Sequence, residues 1–424
     1  MKTIKFLSQA VAIMLLMLFC VQAQAQFTLS GELRPRAEYR NGFKELVAQD
    51  HEPAAFISQR SRLNLHYQNE NLRFGLSLQD VRVWGDLGQL AASSNSMMLH
   101  QAWGEYFVND KFSLKFGRQE LVYDDARILG NVDWAQQARA HDVFLFKYEG
   151  ESKLHFGLAF NQVGELLSGT YYMLPGYKSM QFLWFNHRFS STGLSLLLLN
   201  NGLQHDYVQD DEVLYKTVYS QTMGGRLTQA VGRLQLYGEA YYTTGKNRND
   251  IELDAHLWKF GGKYTFDSGW GMAAGWEWLS GTSQLEDTGA DDFVNRSFEP
   301  FYGTNHKFNG HMDYFYVGNH LNAVGLSDIH AGVFYSKNKF GATLTAHIFA
   351  AAADVIDDQS DTMDKKLGTE LDFSINYKLA QPLTISAGYS QMFGTETLQQ
   401  LRGGDHNATN NWAWIMLTFK PVFI

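Results

Sequence analysis

The sequence predicts an all-β fold, a transmembrane antiparallel β-barrel of about 18 strands with short periplasmic turns and long extracellular loops. Three observations carry that prediction. Apolar and polar residues alternate at period 2 in segment after segment, the mark of strands with two unlike faces. The connections between these segments alternate between long and short. The one long apolar run of the 424-residue chain lies at its N-terminus, and no internal window approaches the roughly 18 apolar residues of a membrane helix.

That first run reads as an export signal. Lys2 and Lys5 precede VAIMLLMLFC, and Ala23-Gln24-Ala25 gives the small-x-small pattern of cleavage after Ala25. Residues 1–25 are therefore expected to be a signal peptide and residues 26–424 the barrel. Cys20, the only cysteine, lies inside the signal between Phe19 and Val21, which does not suit lipidation. The mature chain then has no disulfide, thiol nucleophile or cysteine metal site. Loss of Lys2 and Lys5 lowers the formal charge of −9 by two, to −11, which argues against a nucleic-acid partner.

The strands follow. FTLSGELRPRAEYR sets Phe27, Leu29, Leu33, Ala37 and Tyr39 against Glu32, Arg34, Arg36, Glu38 and Arg40. RLQLYGEAYYT, WGMAAGWEW and LGTELDFSINYKL repeat the alternation later in the chain. Strands are expected at 27–40, 55–68, 72–84, 98–109, 112–121, 141–149, 152–162, 180–190, 193–201, 217–229, 233–244, 255–266, 270–280, 326–336, 339–350, 366–378, 383–393 and 411–420. NEN (69–71), ND (109–110), DSG (267–269) and KN (337–338) are short turns. Residues 41–54, 85–97, 122–140, 163–179, 202–216, 281–325, 351–365 and 394–410 are long connections.

An outer-membrane barrel explains this alternation, because its periplasmic turns are tight and its outer loops long. In hydrocarbon no backbone group can stay unpaired, so the sheet must close. Aromatic residues near strand ends, among them Tyr39, Trp84, Trp270 and Trp414, fit interfacial girdles. The chain is expected in the cell outer membrane, in contact with its lipid.

The polar faces then point into the lumen. In SQRSRLNLHYQ (58–68), Arg60 and Arg62 share one face. A lipid-facing arginine near the midplane costs about 2–4 kcal/mol, so that face is expected to be lumenal. The same phase turns Arg34, Arg36, Arg40 and Arg73 inward. The pattern breaks near Gln79-Asp80 and in FGRQELVYDDARILG, where a bulge or the membrane edge is expected. Carboxylates accompany the arginines in the first third of the chain, including Glu32, Glu38, Asp80, Glu105, Glu120, Asp125, Asp133 and Asp142. Two compatible readings follow: a salt-bridge lattice stiffening the wall, and a constriction that attracts anions as rings of arginine do. The planar fork of arginine suits a carboxylate ligand.

QDVRVWGD (79–86), LHQAWGEYFV (99–108), LKFGRQELVYDDARILGNVDWAQQARAHDVFLFKY (114–148) and FYGTNHKFNGHMDYFYVGN (301–319) together resemble the alginate-export family of outer-membrane β-barrels. The resemblance implies an 18-stranded barrel, in all expectation monomeric, that passes an anionic polyuronate through an arginine-rich pore. It implies pore-lining, substrate-binding roles for Arg82, Arg118, Arg127 and Arg139, joined by Arg60, Arg62 and Arg73 from the strand phase. All periplasmic turns read as short, so a periplasmic plug is not expected and any gate would come from the outer loop 281–325.

Other classes are weighed against this. A general diffusion porin for small nutrients or organic acids is the alternative to passage of an anionic saccharide or small anion. An enzyme would need an aligned serine, histidine and acid; His330 and His347 fall on inward faces without a serine partner one strand over, so no catalytic residue is expected. His306, His311 and Asp313 match no strong metal template, DDQSD (357–361) lacks the features of a calcium loop, and neither metal nor cofactor is expected.

Overall fold

The computed structural model describes residues 26–91, 96–172, 176–290, 292–316 and 323–424. The expected signal peptide, 1–25, lies outside the described residues. Eighteen long strands close into one antiparallel ring. They are β1 (Gln26–Asn41), β2 (Ala54–Gln68), β3 (Leu72–Val83), β4 (Met97–Phe107), β5 (Phe112–Gln119), β6 (His141–Glu149), β7 (Ser152–Phe160), β8 (Ser179–Phe189) and β9 (Thr192–Gln209). The ring continues with β10 (Glu212–Val231), β11 (Leu234–Lys246), β12 (Glu252–Thr265), β13 (Trp270–Leu279), β14 (Leu326–Lys337), β15 (Phe340–Ala350), β16 (Lys366–Ala380), β17 (Leu383–Gly394) and β18 (Asn410–Phe419). A two-residue strand, Val294–Asn295, adds to β12 from the loop after β13.

Each strand pairs with its sequence neighbours, and β1 closes the ring on β18 from Leu33↔Phe419 to Asn41↔Asn411. Beyond β18 the last residues continue the seam: Gly31 N–H donates to Pro421 O at 2.9 Å and Phe423 N–H to Leu29 O at 2.8 Å. No hydrogen-bonding edge is therefore left at the closure, as the hydrocarbon requires. Outward faces carry large exposed apolar side chains, among them Phe116, Phe146, Leu198, Trp258, Met272, Ile329, Leu344, Ile348, Phe373 and Ile415.

One connection departs from its expected length. Residues 202–216 read as a long loop, but β9 and β10 run on as a hairpin to a tight turn at Asp210-Asp211, with Gln209 opposite Glu212. The expected phase change in β3 is also absent. The β2–β3 register is unbroken from Gln68↔Arg73 to Ser58↔Val83, and the irregularity falls in the β3–β4 pairing between Ser77 and Leu78. The extra residue is His100 of β4, which β3 leaves without a partner.

The lumen is not empty. The loops 120–140 and 280–325 both turn back into the barrel, and a buried cluster of Leu121, Ile128, Leu129, Tyr302, Met312, Tyr314 and Phe315 forms inside it. The two loops are joined through backbone: Gly130 N–H donates to Tyr302 O and Thr304 N–H to Ala126 O, each at 2.8 Å. Gating had been expected from the second loop alone.

Candidate functional site: a strapped lumen and an outer vestibule

Loop 120–140 crosses the lumen as a strap held by charge at each end. Its near anchor lies on β1 and β2, whose period-2 alternation aims Arg34, Arg36 and Arg60 inward. Arg60, with no exposed surface, donates to Glu32 Oε1 at 2.6 Å and to Asp133 Oδ1 at 2.8 Å. Arg34 donates from Nε to Gln136 Oε1 at 3.1 Å, and Arg36 from Nη1 to Trp134 O at 2.8 Å. The Arg36 guanidinium also lies 4.1 Å from the Trp134 ring centre, and Trp134 stacks on His306 at 4.5 Å.

The far anchor lies on β10 to β13. Lys259 Nζ donates to Asp125 Oδ2 at 2.5 Å, and Arg226 Nη1 stands 2.7 Å from the same carboxylate, with Glu239 beside both cations. Arg127, 2% exposed, donates to both Glu277 oxygens at 2.7 and 3.1 Å and to Asn305 and Asn309 of the second loop. β10 lies eight strands on from β2 in a ring of eighteen, so the anchors are on nearly opposite walls. Burial pushes the Asp125 carboxyl up, but the Lys259 ammonium foremost reverses this and holds it well below the usual carboxylate range.

The second loop is fastened to the other wall. Met312 N–H donates to Glu370 Oε1 at 2.8 Å, and Tyr314 Oη to Gly42 O at 2.6 Å. His306 and Asp313 bond each other at 2.7 Å, while His311 turns to Asp372, 3.7 Å away.

Beside the strap, on its outer side, lies a cavity of about 1000 Å³. Its walls come from β5, β6 and β9 to β12, from the loops after β7 and β11, and from residues 297–302. Arg118, Arg139 and Arg248 reach it, together with Asp142, Glu299, Tyr172, Tyr177 and Tyr302. Arg118 bonds Asp142 at 2.9 Å. Arg139 donates to the Gly303 carbonyl at 3.1 Å and, among the described residues, has no carboxylate within 4 Å. Arg248 donates to Gly176 O at 2.6 Å. Burial pushes the Glu299 carboxyl up to about 7, against the opposing pull of Arg248. Asn201 Nδ2, Ser220 Oγ and His141 Nε2, all buried in the cavity wall, have no hydrogen-bond partner.

The sequence-predicted arginines thus separate into three groups. Arg118 and Arg139 reach the vestibule. Arg60 is sealed under the near end of the strap, Arg127 is part of the strap and buried against Glu277, and Arg62 lies close to Arg60, donating to Gln79 at 2.8 Å. Arg73 and Arg82 sit at the rims. Arg73, beside Glu105 at 3.9 Å, is at the periplasmic end. Arg82 pairs with Asp80 at 2.5 Å on the outward face, because Asp80 opposes Ser61, whose neighbours Arg60 and Arg62 both point inward. Arg248 was missed, since its loop has no strand phase to read.

The comparisons with known proteins agree with this architecture. The family model for alginate export matches residues 25–163, which span β1 to β7 and the strap. No curated protein sequence matches the chain. Among solved structures, Pseudomonas aeruginosa OpdO superposes with a TM-score of 0.62 at 13% identity, over 94% of this chain and 98% of that one. Pseudomonas aeruginosa OccD3 (OpdP) gives 0.61 at 12% identity over 95% and 94%. The structure of Pseudomonas aeruginosa OpdK with vanillate gives 0.60 at 11% identity over 93% and 99%. At such identities the likeness establishes the fold. The chain is an outer-membrane β-barrel with the architecture of a porin-like channel, and fold and family match are those of channels rather than enzymes.

Proposed function

We propose that the protein passes small organic anions across the outer membrane, with the outer vestibule as their point of capture. The observation that carries this is Arg139: a guanidinium facing a cavity of about 1000 Å³, bordered by tyrosines and, among the described residues, free of any carboxylate within 4 Å. Such a group offers a bidentate site to a carboxylate ligand and pays little to receive it. Tyr172, Tyr177 and Tyr302 line the same cavity and give it an aromatic border. The OpdK structure carries vanillate, an aromatic acid of the size this cavity takes. The closed ring needs no second copy to satisfy its strand edges, so a monomer is the assembly this reading takes.

A second reading has its own support. The alginate-export match covers the strap and favours an acidic polysaccharide such as a polyuronate. The strap supports the smaller solute, because a polymer needs a continuous bore where buried ion pairs now cross the lumen.

The test is single-channel current in a planar bilayer under a salt gradient, with vanillate or oligouronate added. The reading expects an anion-selective reversal potential, brief block by vanillate, and loss of both in Arg139→Gln. Block by oligouronate alone would favour the polymer. Weak selectivity unchanged in Arg139→Gln would leave a general diffusion porin.

A further inference from the structure

Away from the vestibule, the lumenal wall at β14 and β15 carries a second set of side chains with metal-ligand chemistry. These strands form a hairpin whose two-residue turn sets His330 directly opposite His347. Asp328 lies two residues before His330 and so shares its face. Asp328 and His347 are buried, whereas the His330 side chain keeps 22% of its surface open. One ligand atom from each of the three residues lies within 4.8 Å of the others. His347 Nδ1 is 2.9 Å from Asp328 Oδ1, and His330 Nδ1 is 3.9 Å from Asp328 Oδ2. Bonds of about 2.0–2.2 Å to a tetrahedral cation place neighbouring ligand atoms about 3.3 Å apart, so shifts of about 1 Å would complete the site.

Three independent features point to a cation there. His330 Nδ1 is buried without a hydrogen-bond partner, although it is aimed at Asp328. Its ring rests on Gly275, where an added Cβ would come within 2.7 Å of His330 Nε2 and 2.9 Å of Cε1. Behind the site, Asp372 Oδ2 stands 3.7 Å from His347 Nε2 and Asp372 Oδ1 is held by Ser390 Oγ at 2.5 Å. A carboxylate behind a ligating histidine is the usual outer shell of a metal centre. Charge points the same way: Asp328, Asp372, Glu277 and Glu370 are all buried within this region, and Arg127 is bonded to only one of them. A buried carboxylate without a cation is costly.

We propose that Asp328, His330 and His347 bind one divalent transition-metal cation in the barrel lumen, with Asp372 orienting His347. Two imidazoles and a carboxylate suit zinc, copper, nickel or ferrous iron. The cation takes the place of the present His347–Asp328 hydrogen bond, and the open side of His330 gives it access. This site stands apart from the anion path and does not depend on it.

The test uses the full-length barrel in detergent, stripped with chelator and titrated with Co(II) by visible absorption, then with Zn(II) by calorimetry. The proposal expects one equivalent of Co(II) bound, displaced by Zn(II). His330→Gln should weaken binding by about 100-fold or more, since outer-shell changes alone cost about 10–100-fold. Gly275→Ala keeps every ligand but unseats the His330 ring, and should weaken binding while heat-modifiable gel mobility reports a folded barrel. His187→Gln, on β8 and away from this wall, should leave binding intact. Absence of stoichiometric binding by the folded wild type would overturn the proposal, as would binding indifferent to both His330→Gln and Gly275→Ala.

Discussion

Replacing Asp125 with asparagine removes one charge from the far anchor of the strap at almost constant size. In the wild type its carboxylate stands 2.5 Å from Lys259 Nζ and 2.7 Å from Arg226 Nη1, and Lys259 is only 4% exposed. Breaking a buried ion pair by removing one partner costs about 3–5 kcal/mol. Glu239 stays within 3.4 Å of Lys259 and Arg127 keeps its hold on Glu277, so the low end, about 3 kcal/mol, is the fair figure. At about 1.4 kcal/mol per factor of ten, the ratio of released to docked strap should rise about 100-fold. Single-channel recording would show this as bursts of larger conductance that the wild type rarely makes. Acid should not mimic the substitution. The depressed carboxyl contributes its stability above the ordinary carboxylate range and loses it only as pH falls through its lowered folded value, so the strap stays docked between about pH 5 and 8. An unchanged distribution of conductances in folded Asp125→Asn would place the strap outside the conduction path and refute this reasoning.

Glu299, raised to about 7 by burial, should make selectivity pH-dependent: anion preference is highest below pH 7 and declines as the carboxyl ionises, and Glu299→Gln should flatten the profile. The linked stability has the same sign, because the folded state holds its proton from the unfolded value up to about 7, so stability declines as pH rises across that window. Arg60→Ala leaves Glu32, 8% exposed, and Asp133 with the longer contacts to Arg34, at 3.9 and 3.4 Å, and should cost about 3 kcal/mol in the urea unfolding of lipid-inserted protein; a cost near zero would contradict the anchor. Gly310 sits at φ +83 with Glu370 Oε2 2.6 Å from where a Cβ would be, so Gly310→Ala should cost at least about 1–2 kcal/mol and expose the second loop to protease from the outside.

The barrel was legible because two-sided strands in lipid have only one solution. Alternation, alternating loop lengths and the ban on open edges together give strand count, orientation and closure. The β9–β10 hairpin escaped because Leu203, His205 and Tyr207 continue the strand above the membrane edge, where polar and apolar positions no longer need to separate. Arg60, Arg34 and Arg36 were legible as lumenal, but phase cannot say what lies against them. Their partners, Asp133, Trp134 and Gln136, are about 70 to 100 residues away on a loop with no periodicity of its own. The His330–His347 pairing was open to reading, since a two-residue turn at 338–339 fixes that register. Taken singly, each histidine shows only the lack of a serine partner; the register is what brings the two together.

The same geometry reconciles a formal charge of −9 with the proposed anion site. Selectivity follows the local field, and in a lumen walled by low dielectric that field is set by charges left unpaired. Most lumenal arginines are spent: Arg60 on Glu32 and Asp133, Arg127 on Glu277, Arg226 on Asp125 and Glu239. They hold the strap and offer little to a solute. In the vestibule Arg118 is matched by Asp142, which leaves Arg139 and Arg248 against Glu299 alone. The cavity is thus net positive by one charge when Glu299 is ionised and by two when it is protonated. Counting arginines along the sequence overstates the positive field, because it adds the anchors to the site; subtracting every carboxylate within reach leaves Arg139 as the residue on which the proposed anion capture turns.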